Sequence, residues 1–186
     1  MEIINETQAC KFLKIPKNEI LNFRKYFNKD WGYIDGDGWW HLFKYINGGY
    51  TELTKGIKAI YIWCFDNNHW KYKDKDNYEH LFKFTGNKWI ELTKDIETTY
   101  AFYYKNKDWV CIDKNGWWHL FREIDGEQVE LTKGVKAIDA DSYNDGEWVY
   151  YDEKGIEHFF QKKGKGYVEL IRDTKMDMNT TIYSKK

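Results

Sequence analysis

Apolar and polar residues alternate along most of this chain with a period of two. In one stretch Trp39, His41, Phe43 and Tyr45 share one parity, and Trp40, Leu42 and Lys44 share the other. Such alternation sends successive side chains to opposite faces of a sheet. The alternating runs are short and end at Asn, Asp and Gly, the residues that tolerate the backbone of tight hairpins. Between residues 135 and 171 the order is Val135 to Tyr143, Asn144-Asp145-Gly146, Trp148 to Asp152, Glu153-Lys154-Gly155, Ile156 to Gln161, Gly164 to Gly166, then Tyr167 to Ile171. That predicts four antiparallel strands in about 40 residues. No helical spacing of apolar residues is sustained, so the chain is expected to be almost wholly strand and turn.

The pattern repeats. Residues 28–66, 67–105, 106–144 and 145–183 align without a gap, and six columns are identical in all four copies. These are Trp31, Trp70, Trp109 and Trp148; Asp35, Asp74, Asp113 and Asp152; His41, His80, His119 and His158; Phe43, Phe82, Phe121 and Phe160; and the adjacent Glu52-Leu53, Glu91-Leu92, Glu130-Leu131 and Glu169-Leu170. Copies one and three share WWHLF and ELTKG, which points to doubling of a 78-residue unit. The segment before Asn28 aligns poorly, as terminal repeats do.

In strand count and length the unit resembles a blade of WD-repeat and hemopexin-like β-propellers, from about Asn18 onward. The resemblance is one of layout: it implies an all-β propeller of tandem 39-residue blades and carries no functional residue across. On it, residues 1–186 form a single repeat domain with blades at 18–55, 57–94, 96–133 and 135–172. An orphan inner strand at 174–183 and outer strands within 2–15 are expected to join as a fifth, closing blade, which would remove exposed sheet edges. A four-bladed ring and an open β-solenoid are the alternatives.

Lys and Arg at 29 against Asp and Glu at 30 leave a formal charge of -1, so no positive field exists to hold a phosphate backbone and nucleic acid is not expected as a partner. No apolar run reaches membrane-span length, and the first residues have no signal-peptide pattern, so a cytoplasmic location is expected, with non-classical release as the alternative. Cys10, Cys64 and Cys111 stand at no metal-binding spacing and are expected as reduced, mostly buried thiols. No cofactor is implied.

One Trp, one Asp, one His and one Glu per repeat suggest four copies of a reactive site, but identity across copies also marks what every unit needs in order to pack. A buried imidazole must satisfy both ring nitrogens and a buried carboxylate must be hydrogen-bonded. Asp35 and His41, six residues apart across a turn, are therefore expected to brace it. The Glu column faces away from Leu53, with Lys55, Lys94, Lys133 and Arg172 as available partners. His69 stands outside these columns and is expected on the surface. Nothing resembles a nucleophile with its base or a phosphate cradle, so an enzyme is not expected.

Function is expected in the variable columns. The position after the invariant turn reads Trp40, Glu79, Trp118 and Glu157. A column that takes Trp or Glu suggests the surface, so Trp40 and Trp118 are expected to be exposed, with Trp63 and Trp89 partly open. With 19% aromatic residues, some rings should lie outside. Exposed indoles beside polar groups stack on sugars, bases or apolar side chains. The first expectation is a lectin-like, carbohydrate-binding module whose partner is a glycan. An intracellular protein-interaction scaffold or inhibitor is the alternative, and a protein sequestering a small molecule or nucleotide is the third.

Overall fold

The structure is a computed structural model that describes residues 2–172 apart from 4, 27, 28, 87, 105, 144, 145 and 165. The chain divides into two compact units, residues 1–99 and 100–186.

The first unit holds a helix α1 (Glu6–Leu13), a short 3-10 turn (Lys17–Glu19) and two four-stranded antiparallel sheets. The first repeat is β1 (Asn22–Lys25), β2 (Trp31–Ile34), β3 (Trp40–Ile46) and β4 (Gly49–Glu52); the second is β5 (Ala59–Cys64), β6 (His69–Asp74), β7 (Glu79–Phe84) and β8 (Trp89–Glu91). Each runs in sheet order as in sequence. The second unit carries the third repeat, β9 (Thr98–Tyr103), β10 (Trp109–Asp113), β11 (Trp118–Ile124) and β12 (Glu127–Glu130), with β9 beginning at the end of the first unit. The fourth is β13 (Ala137–Ser142), β14 (Trp148–Asp152), β15 (Glu157–Lys163) and β16 (Gly166–Arg172). One bridge, Trp118 to Ala137, links the third and fourth repeats into a single sheet. The protein is thus all-β, built of tandem four-stranded antiparallel repeats with the layout of propeller blades.

Strand register sorts the side chains of every repeat onto two faces. The first is an aromatic ladder made from the invariant columns. Trp31 opposes Phe43 and Tyr33 opposes His41 across β2 and β3. The Trp–Phe rings stack at centroid distances of 4.2, 4.7, 4.0 and 3.7 Å in the four repeats. In the first and third repeats the second face covers the ladder of the repeat that follows. Trp40 and Leu42 of the first repeat pack with Ile62, Cys64, Trp70 and Tyr72 of the second, and Val110 and Leu120 of the third pack with Ala137, Ala140, Trp148 and Tyr150 of the fourth. Gly32 lets the first of these contacts close, since a Cβ there would stand 2.6 Å from the His41 carbonyl oxygen and 3.2 Å from the Ile62 side chain.

The ladder of the first repeat is covered by α1, where outer strands were expected within residues 2–15. Ala9 and Ile3 are fully buried against Trp31, Tyr33 and Phe43, and Phe12 stands edge-on to Trp31, Phe43 and Tyr50. The Asn5 side chain caps the helix by accepting the Gln8 N–H at 3.0 Å, and Lys14 ends it in the left-handed region. A helix satisfies its backbone internally, so it can cap the first ladder without needing a further strand of its own. The expected closing strand at 174–183 lies outside the described residues.

Three repeats fasten their outer strand through a threonine. Thr54, Thr93 and Thr132 accept the N–H groups of Leu42, Leu81 and Leu120 at 2.9, 3.0 and 3.0 Å, all buried. A Thr→Val change keeps the shape and leaves that N–H unsatisfied. T54V, T93V and T132V are each expected to lower stability by about 1–3 kcal/mol in urea denaturation; losses near zero would mean the bond is dispensable.

Candidate functional site

The invariant polar columns assemble one arrangement in every repeat. The Asp at the head of the turn between the second and third strands accepts two backbone N–H groups with Oδ1: Asp35 from Asp37 and Trp39, Asp74 from Asp76 and Tyr78, Asp113 from Asn115 and Trp117, and Asp152 from Lys154 and Ile156. The turn forces a positive φ at its fourth position, which Gly38, Asn77, Gly116 and Gly155 supply. The other carboxylate oxygen faces the invariant His. His41 Nε2 lies 2.9 Å from Asp35, and His80 Nε2 lies 3.2 Å from Asp74. The corresponding separations widen to 3.5 Å for His119 and 3.6 Å for His158.

The other ring nitrogen, Nδ1, meets the invariant Glu at 2.7 Å in all four repeats, through Glu52, Glu91, Glu130 and Glu169. The Glu column therefore binds histidine rather than the lysines expected beside it. Tyr33, Tyr72 and Tyr150 stack on the imidazole at 4.6, 4.5 and 4.5 Å; the third repeat has the buried Cys111 at that position. These columns thus join turn, third strand and fourth strand within each sheet. Among the described residues, no group of three or more His, Cys, Asp or Glu side chains is placed to hold a metal ion.

His41 and His80 titrate above the ordinary imidazole value. The Glu carboxylate at Nδ1 is the largest cause, partial burial opposes it, and the Asp at Nε2 adds to it. For Asp35 and Asp74 burial is the largest single influence and acts upward, but hydrogen bonds from the turn amides and the histidine together outweigh it and hold both below the ordinary carboxylate value.

The variable columns gather on the second face. Register aligns Asn22, Ile34 and Trp40 in the first repeat, Tyr61, Lys73 and Glu79 in the second, and Asp139, Tyr151 and Glu157 in the fourth. The column that reads Trp, Glu, Trp, Glu is not a surface column. Trp40 is 5% exposed, packed beneath the second repeat with the Arg24 guanidinium 4.9 Å from its ring centroid. Glu79 is 6% exposed and pairs with Lys71 at 2.5 Å and Lys73 at 3.7 Å. Trp118 is half-buried against the third and fourth repeats, beside Tyr100. Glu157 is half-buried and accepts the Tyr151 hydroxyl at 2.6 Å.

The column alternates because the interface inside each 78-residue pair takes an indole, while the even repeats place a carboxylate there. Tolerance of Trp and Glu records two kinds of packing rather than exposure. Trp89 is partly exposed, as expected, edge-on to Trp70 and under the Lys44 ammonium, whereas His69 is buried with Nδ1 on Asp66. Trp63 is the most open of the four, 46% exposed on β5 and stacked beside Tyr61 at 6.4 Å. Tyr100 and Phe102 are exposed at the corresponding positions of β9. All three cysteines are free, and burial pushes the Cys64 thiol up to about 12.

No protein-family model matches the chain, and no curated protein matches it. Similar solved structures include human WBSCR16, 8% identical with a TM-score of 0.40, the match covering 77% of this chain and 48% of that one. The WD40 β-propeller domain of Doa1 is 11% identical with a TM-score of 0.36, covering 78% and 51%. The WD40 domain of SCAP from fission yeast is 15% identical with a TM-score of 0.37, covering 84% and 42%. The chain thus spans about half the length of the structures it matches.

Two outcomes follow. Trp40→Ala is expected to cost about 3–5 kcal/mol in denaturant unfolding, while Trp63→Ala stays within about 0.5 kcal/mol of the parent; equal losses would contradict the assignment of buried and open indoles. The raised histidines stabilise the fold below their unfolded value of about 6.5, and that contribution is lost as pH rises through the folded value. The depressed aspartates contribute above about 3.8 and lose that contribution as pH falls through their folded values. The melting temperature is therefore expected to peak between about pH 4 and 6.5. Replacing His41 and His80 by Gln should flatten its alkaline limb; an unchanged limb would show that the imidazoles do not carry it.

Proposed function

We propose that the chain is a non-enzymatic protein-interaction module that binds an extended segment of a partner through β5. The observation that carries this reading is the exposed Trp63, beside the half-buried Tyr61, on a strand that ends its sheet. Among the described residues β5 has a hydrogen-bonded strand on one side, in the order β5-β6-β7-β8, and it presents Ile60 and Trp63 at 40% and 46% exposure. A strand edge offers backbone donors and acceptors to an incoming polypeptide, and flat rings beside it supply apolar contact.

A sugar is the weaker fit. Stacking a pyranose on Trp63 requires polar groups at the rim of the ring. On the adjoining strands Lys71 and Glu79 are buried and paired with each other, and Lys73 turns to the same Glu79 at 3.7 Å. The exposed Tyr100 and Phe102 of β9 repeat the aromatic character in the second unit and suit the same class of ligand.

Selection of extended peptides from a displayed random library tests the reading. Peptides are expected to be enriched whose affinity falls about ten-fold or more, roughly 1.4 kcal/mol, on Trp63→Ala at unchanged melting temperature. A glycan array should give no signal. Failure to enrich any peptide, or saturable quenching of Trp63 fluorescence by a sugar, would overturn it.

A further inference from the structure

Two asparagines in this chain precede a glycine, Asn47-Gly48 and Asn115-Gly116, and the fold treats them differently. Asn115 lies in the turn between β10 and β11. Its backbone N–H and its side-chain amide donate to the Asp113 carboxylate at 2.8 and 3.3 Å, and the Gly116 N–H donates to the Asp113 carbonyl oxygen at 3.0 Å. Asn47 and Gly48 are instead the two central residues of the hairpin between β3 and β4, closed by the Ile46–Gly49 pair. Both are exposed and both lie in the left-handed region, with φ of 50° and 86°. Among the described residues neither the Asn47 carboxamide nor the Gly48 N–H has a hydrogen-bond partner, and a Cβ on Gly48 would meet nothing within 4 Å.

An asparagine followed by glycine sets an electrophile beside a nucleophile. The backbone nitrogen of the second residue attacks the side-chain carbonyl carbon of the first only when nothing crowds the approach, and glycine crowds it least. At Asn115 the approach first requires breaking the bonds that hold the carboxamide and the Gly116 N–H to Asp113. At Asn47 it breaks none, and an exposed two-residue tip opens more readily than the strands it joins.

We propose that Asn47 is a site of spontaneous modification, at which the chain deamidates through a cyclic imide formed with Gly48. The Gly48 nitrogen gives its proton to solvent and bonds to Asn47 Cγ, the Cγ–Nδ2 bond breaks, and ammonia leaves. Water then opens the ring. Attack at Cγ leaves aspartate, and attack at the Asn47 backbone carbonyl carbon leaves isoaspartate, with the main chain passing through Cγ. One water is consumed for each ammonia released, and nothing is oxidised or reduced.

The fold distinguishes the two products. Asp125-Gly126 stands 78 residues further on and forms the same tip, with φ of 51° and 86°. The third repeat thus already carries an aspartate in this turn, so the aspartyl product leaves the hairpin as it is. Isoaspartate adds an atom to the main chain of a two-residue turn and displaces β4 against β3. Tyr50 of β4 packs edge-on to Phe12 at 5.6 Å, and its hydroxyl accepts the Ile3 N–H at 3.0 Å. The isoaspartyl form is therefore the one that loosens α1 from the first ladder.

The test holds the full-length protein in mildly alkaline buffer and follows both Asn-Gly sites by peptide mass spectrometry, with isoaspartate read by isoaspartyl-methyltransferase labelling. Asn47 is expected to deamidate about ten-fold or more faster than Asn115, as the hydrogen bonds that must first break at Asn115 predict. In urea, where those bonds are gone, the two rates should converge. Asn47→Asp should keep the melting temperature of the parent, and the isoaspartyl form, separated by ion exchange, should show faster hydrogen exchange at the Ala9 N–H.

Equal rates at the two sites in the folded protein overturn the proposal, as does a faster rate at Asn115 or an Asn47 that stays intact. A difference that survives in urea overturns the assignment of the protection to Asp113. Unchanged exchange at Ala9 in the isoaspartyl form overturns the link from the hairpin to α1.

Discussion

A half-buried imidazole has two ring nitrogens to satisfy, and in each repeat the Glu of the fourth strand meets one at 2.7 Å while the turn Asp faces the other. Three strands and one turn are fixed relative to one another by this single ring. Once the imidazole is held, the tyrosine stacked on it and the Trp–Phe pair beside it have one arrangement available, which makes the ladder face nearly the same in every repeat. The third repeat shows how much the clip tolerates. Cys111 replaces the stacked tyrosine, yet the Trp109–Phe121 stack and the His119–Glu130 contact persist.

Because the ladder face is spent on holding each sheet together, differences between repeats are confined to the other face, and there they follow the 78-residue pair. Lys44 and Arg122, 78 residues apart, each pair with a buried aspartate, Asp30 and Asp108, and each reaches over an aromatic ring of the following repeat, Trp89 and Tyr167. Asp108 also accepts the Ser142 hydroxyl from the next repeat. Pairs this buried give back much of their Coulomb energy as desolvation. Their value lies in geometry: a cation that must find both its carboxylate and a ring in the next sheet admits one register between sheets. The indole at Trp40 and Trp118 fills the space that this register leaves.

The repeat, its four strands and the joining turns were legible because hairpin chemistry is local and the ladder is invariant. The brace between Asp35 and His41 was legible from its spacing across a turn. The Glu partner was not, since Glu52 reaches His41 through sheet register rather than along the chain, and nearby lysines were the more obvious partners. The exposure of Trp40 was misjudged for an instructive reason. Variation in a column signals the surface only when all repeats meet the same neighbour, and here they alternate between two. Helix α1 left a short signal, Asn5 with Gln8 three residues on and Ala9 with Phe12 and Leu13, but two turns of helix are easily lost beside a strongly alternating pattern.

The second and fourth repeats form a control that the protein itself supplies. Their strands pair in the same register, and their ladders are built from the same columns, so the contrast between them lies in side chains. The second repeat demonstrates that a carboxylate on this face can be neutralised by two lysines one strand away. The fourth gives up those lysines and adds two carboxylates, one of them half-buried with its charge opposed by its neighbour. The same acidic register position is thus satisfied in two ways, by two lysines at Glu79 and by the Tyr151 hydroxyl at Glu157, and a sheet whose ladder is fixed tolerates either.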